Sequence, residues 1–265
     1  MTATSDAGYT PAYTLDNQWR AARERLQLLE VCLDPITARN FDRVGVGAGW
    51  QCLEVGAGAG SVTRMLCDRV GPAGRVLAVD LEPALLADLT APNLEVRRLD
   101  VVTDELPEAE FDLIHTRSVL LHIPQRDDVL AKLIRALRPG GVLLLEEVDV
   151  TPAFAVPDCQ FLRTIQAAWH RLIEAGADIH WAGTVPSLLE PAGLVDVGSH
   201  RDHVTFTGAS PMAEFHRITW AQLLESQPYT DEERATIEAG AALIAQPGGD
   251  YTAWDIVAAW GRRPT

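Results

Sequence analysis

A glycine-rich segment that follows a short apolar run has the clearest chemical use in this sequence. The segment reads QCLEVGAGAG, in which Glu54 precedes three glycines, Gly56, Gly58 and Gly60. Because glycine has no Cβ, a strand-to-helix turn of this kind lets the backbone approach a ligand closely. The carboxylate of Glu54 ends an otherwise apolar strand and needs a partner there. The segment predicts a turn that binds a nucleoside cofactor.

Two more carboxylates follow the next two predicted strands. Asp80 lies 20 residues after Gly60, and Asp100 follows the third strand. The carboxyl ends of parallel strands meet at one edge of a sheet, where ligands bind. There Asp80 can accept hydrogen bonds from ribose hydroxyls, whereas Asp100 could accept one from an adenine amino group. The backbone N–H of Val101 could meet a ring nitrogen. These residues predict an adenosine site.

The glycine spacing and the charges favour a cofactor without phosphate. The pattern is G-x-G-x-G and not G-x-G-x-x-G, and a pyrophosphate at the helix start would be repelled by Glu54. Lys132 is the one lysine, so hydride chemistry that uses a Tyr-x-x-x-Lys pair is excluded. Neither argument applies to a cofactor that carries a sulfonium and an α-amino group. The residues favour S-adenosylmethionine, and an NAD(P)-dependent oxidoreductase is the alternative.

Composition excludes several other classes of function. A net charge of −15 would repel a phosphate backbone, so nucleic acid is not expected as a partner. The four cysteines show no C-x-x-C pair, and His200 and His203 fall on opposite faces of a predicted strand, so no metal site is expected. Neither a signal peptide nor an apolar run of about 20 residues is seen. We expect a cytoplasmic protein without a membrane partner.

The order of the predicted elements indicates a doubly wound α/β sheet, because strands separated by helices imply parallel βαβ crossovers. The predicted strands are 51–55, 75–79, 94–99, 111–115, 142–148, 194–206 and 251–260. The predicted helices are 15–33, 35–44, 61–70, 83–90, 125–137, 158–176, 184–191, 210–226 and 230–245. Asp34 and Ser61 are the expected N-caps of the second and third helices. Residues 138–141 are an expected turn, and residues 1–14 are expected to form a mobile or lid-associated arm.

The motifs in the first half resemble those of the class I S-adenosylmethionine-dependent methyltransferases. Residues 53–60 are similar to motif I of that family, and 79–81 and 99–101 to its second and third motifs. The fourth strand and the turn before the fifth are also similar, so the match runs from 51 to 148. The nearest branch is the ubiquinone/menaquinone-biosynthesis-like group of small-molecule enzymes. Its cap-helix motif resembles Glu24-Arg25-Leu26, which implies that Arg25 meets the cofactor carboxylate.

This resemblance implies a Rossmann-like sheet of seven strands, ordered 3-2-1-4-5-7-6, whose last strand (251–260) is antiparallel. A single domain would comprise cap helices in 1–45, a cofactor-binding core in 46–150, substrate-side insertions with the sixth strand in 151–250, and the last strand in 251–265. The resemblance implies that Glu54, Gly56, Ala57 and Gly58 contact the methionyl group and the ribose, and that Asp80 binds the ribose hydroxyls. Leu81, Asp100 and Val101 would contact the adenine. His115 and Thr116, placed just after the fourth strand, would lie at the sulfonium end.

The implied activity is in-line transfer of a methyl group to an oxygen, nitrogen or carbon of a small, apolar metabolite. A general base is needed only where the nucleophile loses a proton. The candidates are His115, His122, Glu174 and His180. A protein of this fold that binds the cofactor without methyl transfer, such as a cyclase, is a further alternative. The oligomeric state stays open, with a homodimer among the options.

Overall fold

The computed structural model describes residues 15–155 and 157–265, so the expected arm at 1–14 lies outside the described residues. The strands are β1 (Gln51–Val55), β2 (Arg75–Asp80), β3 (Leu94–Arg98), β4 (Phe111–Arg117), β5 (Leu137–Asp149), β6 (Val195–Gly208) and β7 (Gly248–Arg262). The helices are α1 (Ala22–Val44), α2 (Ser61–Val70), α3 (Arg126–Ala136), α4 (Thr151–Phe154), α5 (Gln160–Glu174), α6 (Trp181–Leu188), α7 (Pro211–Ser226) and α8 (Asp231–Ile244), with short 3-10 helices at Pro83–Leu86 and Leu120–His122.

The strands form one seven-stranded sheet in the order β3-β2-β1-β4-β5-β7-β6. The pairs among β1 to β5 are parallel, whereas β7 runs antiparallel to both β5 and β6. The predicted fold class, strand order and antiparallel last strand are confirmed. Parallel pairing brings the carboxyl ends of β1, β2, β3 and β4 to one edge of the sheet.

Alternate strand residues pack against helices on the two faces of the sheet. On one face, Cys52 of β1 packs with Phe41 of α1 and Leu66 of α2. On the other, Leu53 packs with Leu133 of α3 and with residues of α6. A third apolar cluster joins α5, α7 and α8 to the start of β7. This third cluster lies beside the carboxyl ends of the central strands and covers the site.

Where helices were predicted at 15–33 and 35–44, one helix, α1, begins at Ala22 and contains Pro35, and residues 15–21 are not helical. Proline removes the hydrogen bond to the carbonyl of residue 31, but buried side chains on both sides of it, such as Leu33 and Phe41, hold α1 against the protein. The prediction that Asp34 is an N-cap is therefore wrong. The N-cap of α2 is Gly60, at φ +91°, and not Ser61, whose N–H donates to Glu30 at 3.2 Å.

Two smaller predictions also differ from the structure. Of the helix expected at 83–90, only the 3-10 turn Pro83–Leu86 forms. The expected turn at 138–141 lies inside β5 as an irregularity between the pairs Phe111–Leu137 and Leu113–Val142. The link after β5 contains the short helix α4. Among the described residues, no helix has the length and apolar character that crossing a bilayer requires.

Candidate functional site

A cavity of about 540 Å³ lies at the carboxyl ends of the central strands. Its floor comes from the glycine turn after β1, with Gly56 and Gly58, and from the ends of β2 and β3, with Asp80 and Asp100. Helices α1, α5 and α7 and the start of β7 form the remaining walls. The volume is in the range of sites for small organic molecules.

The glycine turn is shaped by positive backbone angles that favour glycine. Gly56 has φ +72°, and a Cβ at this position would lie 2.3 Å from Cγ2 of Val119. The N–H groups of Gly56 and Ala57 donate to the carbonyl of Val79 at 2.8 and 3.2 Å, which ties the turn to β2. Gly56 and Gly58 border the cavity, and Ala57 is buried behind it.

Asp80 is held in a fixed orientation at the end of β2. Its carboxylate accepts hydrogen bonds from the N–H groups of Gly58 and Glu82, each at 2.9 Å. Burial raises the pKa of Asp80, although these two N–H groups act in the opposite direction. Each carboxylate oxygen can accept a second hydrogen bond, so Asp80 can bind hydroxyl groups in the cavity. Its neighbour Leu81 also borders the cavity.

Asp100 and Val101 border the cavity where the chain leaves β3. Asp100 accepts a hydrogen bond from the N–H of Val102 at 2.8 Å and its own N–H donates to Asp104 at 2.9 Å. These bonds define the loop that follows β3. A carboxylate thus stands beside an apolar side chain, which suits a flat ring with a polar edge.

Arg25 of α1 is buried and borders the cavity. Its Nη2 donates to Asn17 at 3.4 Å, and its Nε is enclosed without a hydrogen-bond partner in the described part of the chain. The segment before α1 is attached to α7, because Gln222 donates to the carbonyl of Asp16 at 2.7 Å and Trp19 donates to Glu225 at 2.8 Å. Arg25 therefore offers a cationic donor beneath this closed segment.

Glu54, which the sequence placed in the cofactor site, is buried and does not border the cavity. Its carboxylate contacts Nδ1 of His115 at 2.7 Å, and Nε2 of His115 contacts Glu146 at 3.2 Å. Thr37 and Asn40 of α1 donate to the same Glu146, each at 2.5 Å. We call these five residues the acid–histidine cluster. All five are buried, so the cluster joins α1 to the middle of the sheet.

The two glutamates of the acid–histidine cluster favour the protonated form of its histidine. Burial alone would lower the pKa of His115, but the adjacent Glu54 and Glu146 raise it to about 9. Burial also raises the pKa of Glu54. The pKa of Glu146 is lowered despite its burial, because His115, Asn40 and Thr37 all donate to it. The two neighbouring acids therefore favour the protonated form of His115.

The structure brings one of the four candidate bases to the cavity. His122 borders it and stacks on Trp169, with ring planes 2° apart and centroids separated by 6.3 Å. Burial, together with Arg25 and Arg126, lowers the pKa of His122 to about 4. His115 and Thr116 lie inside β4 and not after it, because β4 continues to Arg117. Both are fully enclosed and do not border the cavity.

The other two candidates lie on the exterior. Glu174 ends α5 and is exposed, where it pairs with Arg171 at 2.6 Å. His180 precedes α6, and its Nδ1 contacts the hydroxyl of Thr151 at 3.2 Å. Neither residue borders the cavity. Both were candidate bases, but the side chains of Glu174, at the end of α5, and of His180, before α6, are exposed to solvent.

An aromatic wall lies at the far end of the cavity, and the presence of His216 and Trp254 in it was not foreseen from the sequence. It consists of Phe215, His216 and Trp220 of α7 with Trp254 of β7, all buried. His216 lies between the tryptophans, with ring centroids 5.3 Å from Trp220 and 4.8 Å from Trp254. His216 and Trp254 are 38 positions apart in the sequence, so no local pattern could have joined them.

Comparison with known proteins agrees with this geometry. A family described as "Methyltransferase domain" matches residues 53–143. The methyltransferase str3 of Strobilurus tenacellus is 30% identical over 199 residues, which are 72% of this chain and 69% of that protein. The UbiE C-methyltransferase of Hahella chejuensis, which acts in ubiquinone/menaquinone biosynthesis, is 27% identical over 58% of this chain and 70% of its own length.

The fold is shared with solved methyltransferase structures. Phosphoethanolamine N-methyltransferase 2 of Haemonchus contortus, solved with phosphomonomethylethanolamine and S-adenosylhomocysteine, superposes with a TM-score of 0.62 at 14% identity. The superposition covers 97% of this chain and 61% of that one. Curated relatives are matched over 54–70% of their length, so the match does not span them entirely. The chain belongs to the class I S-adenosylmethionine-dependent methyltransferases, the family that uses S-adenosyl-L-methionine as its cofactor.

Proposed function

We propose that this protein transfers a methyl group from S-adenosylmethionine to an oxygen, nitrogen or carbon nucleophile of a small, largely apolar molecule. The observation that carries the proposal is that Gly58, Asp80 and Asp100 border one cavity at the carboxyl ends of three parallel strands. Two carboxylates beside a glycine-rich turn suit an adenosine, and an apolar wall beyond them suits an apolar acceptor.

The residues of the cavity fit the cofactor's chemical groups. Asp80 would accept from the ribose hydroxyls, and Leu81 would pack on the adenine. Asp100 and Val101 would meet the edge of that ring. Arg25, whose Nε is buried without a partner in the described residues, would bind the carboxylate of the methionyl group. Gly56, Ala57 and Gly58 would contribute backbone at the turn.

The predicted site residues that do not border the cavity would stabilise the segments that do. Glu54 and His115 would act through the acid–histidine cluster, which fixes α1 and hence Arg25. Thr116 would act through Glu147, to which its hydroxyl donates at 3.3 Å. Glu147 also accepts from the N–H groups of Leu120 and Leu121 at 3.0 and 3.2 Å, which orders the segment that carries His122.

The bound cofactor supplies an electrophilic methyl group on a sulfonium, and the protein's part is alignment of the acceptor and exclusion of water. The segment before α1, which is hydrogen-bonded to α7 through the carbonyl of Asp16, closes the cavity on one side. His122 is the candidate base that borders the cavity, and its low pKa keeps the imidazole neutral, although an imidazole of such low basicity removes protons poorly.

Two measurements test this function. Isothermal titration calorimetry with S-adenosylhomocysteine is expected to show binding, whereas NAD⁺ and NADP⁺ are expected to show none. S-adenosylmethionine labelled with tritium in the methyl group is then incubated with neutral hydroxyaromatic and aminoaromatic compounds, and the organic extract is counted. Labelled product supports the proposal. Dinucleotide binding would indicate an oxidoreductase, and cofactor binding without any labelled product would indicate a non-methylating protein such as a cyclase.

A further inference from the structure

The two ends of the cavity differ in charge. Its charged lining residues come from the sheet edge, from α1 and from the segment before it, and they include Arg25, Asp80 and Asp100. Helices α5 and α7 and strand β7 contribute no Asp, Glu, Lys or Arg to the lining that the structure describes. A charged acceptor at this end would lose its hydration without gaining a counter-charge, which is costly. This end therefore selects a neutral molecule.

Aromatic rings make up most of this uncharged end. Trp169 lies against His122, and Phe215, His216, Trp220 and Trp254 form the aromatic wall described above. Ring contacts of 4.8 to 5.6 Å run from His216 to three of these side chains. Aromatic faces and edges favour a planar ring over a compact aliphatic group of the same volume.

His216 is a polar ring in an apolar wall. The residue is 2% exposed, and its Nε2 is enclosed without a hydrogen-bond partner among the residues that the structure describes. Burial lowers the pKa of His216 to about 3, so the imidazole is neutral and carries one donor and one acceptor nitrogen. A buried polar group without a partner costs free energy and calls for an explanation in a native protein.

A second polar group without a partner stands beside His216. The indole Nε1 of Trp254 is also buried without a hydrogen-bond partner in 15–155 or 157–265, and Trp254 also borders the cavity. An indole N–H only donates, whereas a neutral imidazole can accept. A hydroxyl group both donates and accepts, so it matches this pair of side chains better than an ether, which has no donor.

From these observations we infer that the acceptor is a neutral planar molecule with a hydroxyl group, and that His216 selects it by hydrogen-bonding with that hydroxyl. This inference rests on the proposed function, since the molecule is taken to be the methyl acceptor. His216 acts here as a specificity-determining residue and not as the base, because an imidazole of such low basicity removes protons poorly. The hydroxyl on His216 need not be the atom that is methylated.

The test measures binding of matched probes to the protein saturated with S-adenosylhomocysteine, by isothermal titration calorimetry. The probes are 2-naphthol, 2-methylnaphthalene, which replaces the hydroxyl by a methyl group of similar size, and 2-naphthoate, which adds a charge. We expect 2-naphthol to bind at least about tenfold more tightly than 2-methylnaphthalene, the factor that one buried hydrogen bond supplies. No binding of 2-naphthoate is expected.

His216→Phe keeps an aromatic ring and removes both nitrogens. This variant is expected to bind the two neutral probes equally within about twofold, and His216→Asn, which retains a hydrogen-bonding group, to keep a preference for 2-naphthol. His200→Phe is the matched control on β6, with a part-exposed side chain, and should behave as wild type. S-adenosylhomocysteine affinity, measured first for every variant, reports an intact fold.

Three results would overturn the inference. They are an unchanged preference for 2-naphthol in His216→Phe, tighter binding of 2-naphthoate than of the neutral probes, and no binding of 2-naphthol to wild-type protein that binds S-adenosylhomocysteine. In the last case the proposed cofactor site would stand and the acceptor class would be wrong. Failure of the wild type to bind S-adenosylhomocysteine would instead reject the proposed function itself.

Discussion

Asp80 connects the glycine turn to the cavity. Its two carboxylate oxygens each accept one backbone N–H, from Gly58 and from Glu82, and the side chain faces the cavity. An acid in this position fixes the turn and still has acceptor capacity for a ligand. Burial raises the pKa of Asp80, so a ligand that donates to the carboxylate would favour the ionised form.

We expect Asp80→Ala to weaken binding of S-adenosylhomocysteine by at least about tenfold, because two ribose hydroxyls would lose a charged acceptor. Isothermal titration calorimetry measures the change. Asp68→Ala is the matched control, since Asp68 is exposed on α2. Wild-type affinity in Asp80→Ala would reject the ribose assignment.

His115 makes stability depend on pH. Its pKa in the folded protein is about 9, above its ordinary value of 6.5, so its contribution to the free energy of unfolding is complete below pH 6.5. The contribution is lost as the pH rises through 9, because the folded state then releases the proton that it holds. The acid–histidine cluster is thus weakest in alkaline solution.

Chemical denaturation at several pH values tests this behaviour with His115→Gln, which keeps a hydrogen-bond donor but cannot be charged. We expect the wild type's advantage in free energy of unfolding over the variant to shrink by up to about 3 kcal/mol between pH 6.5 and 9. His200 has a part-exposed side chain and lies 3.6 Å from the carboxylate of Asp202, so His200→Gln serves as the control. A constant difference across this range would show that His115 is not protonated in the folded protein.

The turn between β1 and α2 was predictable because its signal is local. Glycines at two-residue intervals after an apolar strand predict a turn, and the structure places Gly56 and Gly58 at positive φ. The continuity of α1 through Pro35 was not predictable, since it depends on packing of the helix against the sheet. The position of His216 beside Trp254 depends on the docking of α7 against β7, which no sequence spacing encodes.

Gly56→Ala tests the turn. The substitution places a Cβ at positive φ and 2.3 Å from Val119, so it combines backbone strain with a steric overlap. In Gly45→Ala the same strain occurs in open space. We expect Gly56→Ala to be destabilised by about 1–3 kcal/mol more than Gly45→Ala, measured by urea denaturation.

Adding Val119→Ala to Gly56→Ala should recover part of that loss, because the side chain that overlaps the new Cβ is removed. Equal stability of Gly45→Ala and Gly56→Ala would mean that the turn has room at this position and that the close approach to Val119 is not a constraint.

The α/β class of the fold followed from the alternation of predicted strands and helices, whereas the strand order followed from the resemblance to a known family. The arrangement of the strands accounts for the position of the site. The strand pairs from β1 to β5 bring the glycine turn, Asp80 and Asp100 to one edge, and α5, α7 and β7 cover that edge. We propose that residues 1–265 act as a single methyltransferase domain, with the insertions of 151–250 as the substrate side. Because the sheet edge and the elements that cover it both line the cavity, we expect them to unfold together.

Differential scanning calorimetry is expected to show one transition whose calorimetric and van't Hoff enthalpies agree. S-adenosylhomocysteine should shift the whole transition to higher temperature, because the ligand binds only the folded state. Two resolved transitions, of which the ligand moves only one, would show that the cover of α5, α7 and α8 is an independent unit.

The placement of the cofactor is tested most directly by a crystal structure of the protein with S-adenosylhomocysteine. We expect the ribose hydroxyls on Asp80, the adenine beside Leu81, Asp100 and Val101, the methionyl carboxylate near Arg25, and the sulfur facing the end that His216 lines. The ligand bound elsewhere on the protein, or its adenosine turned away from both carboxylates, would contradict the account.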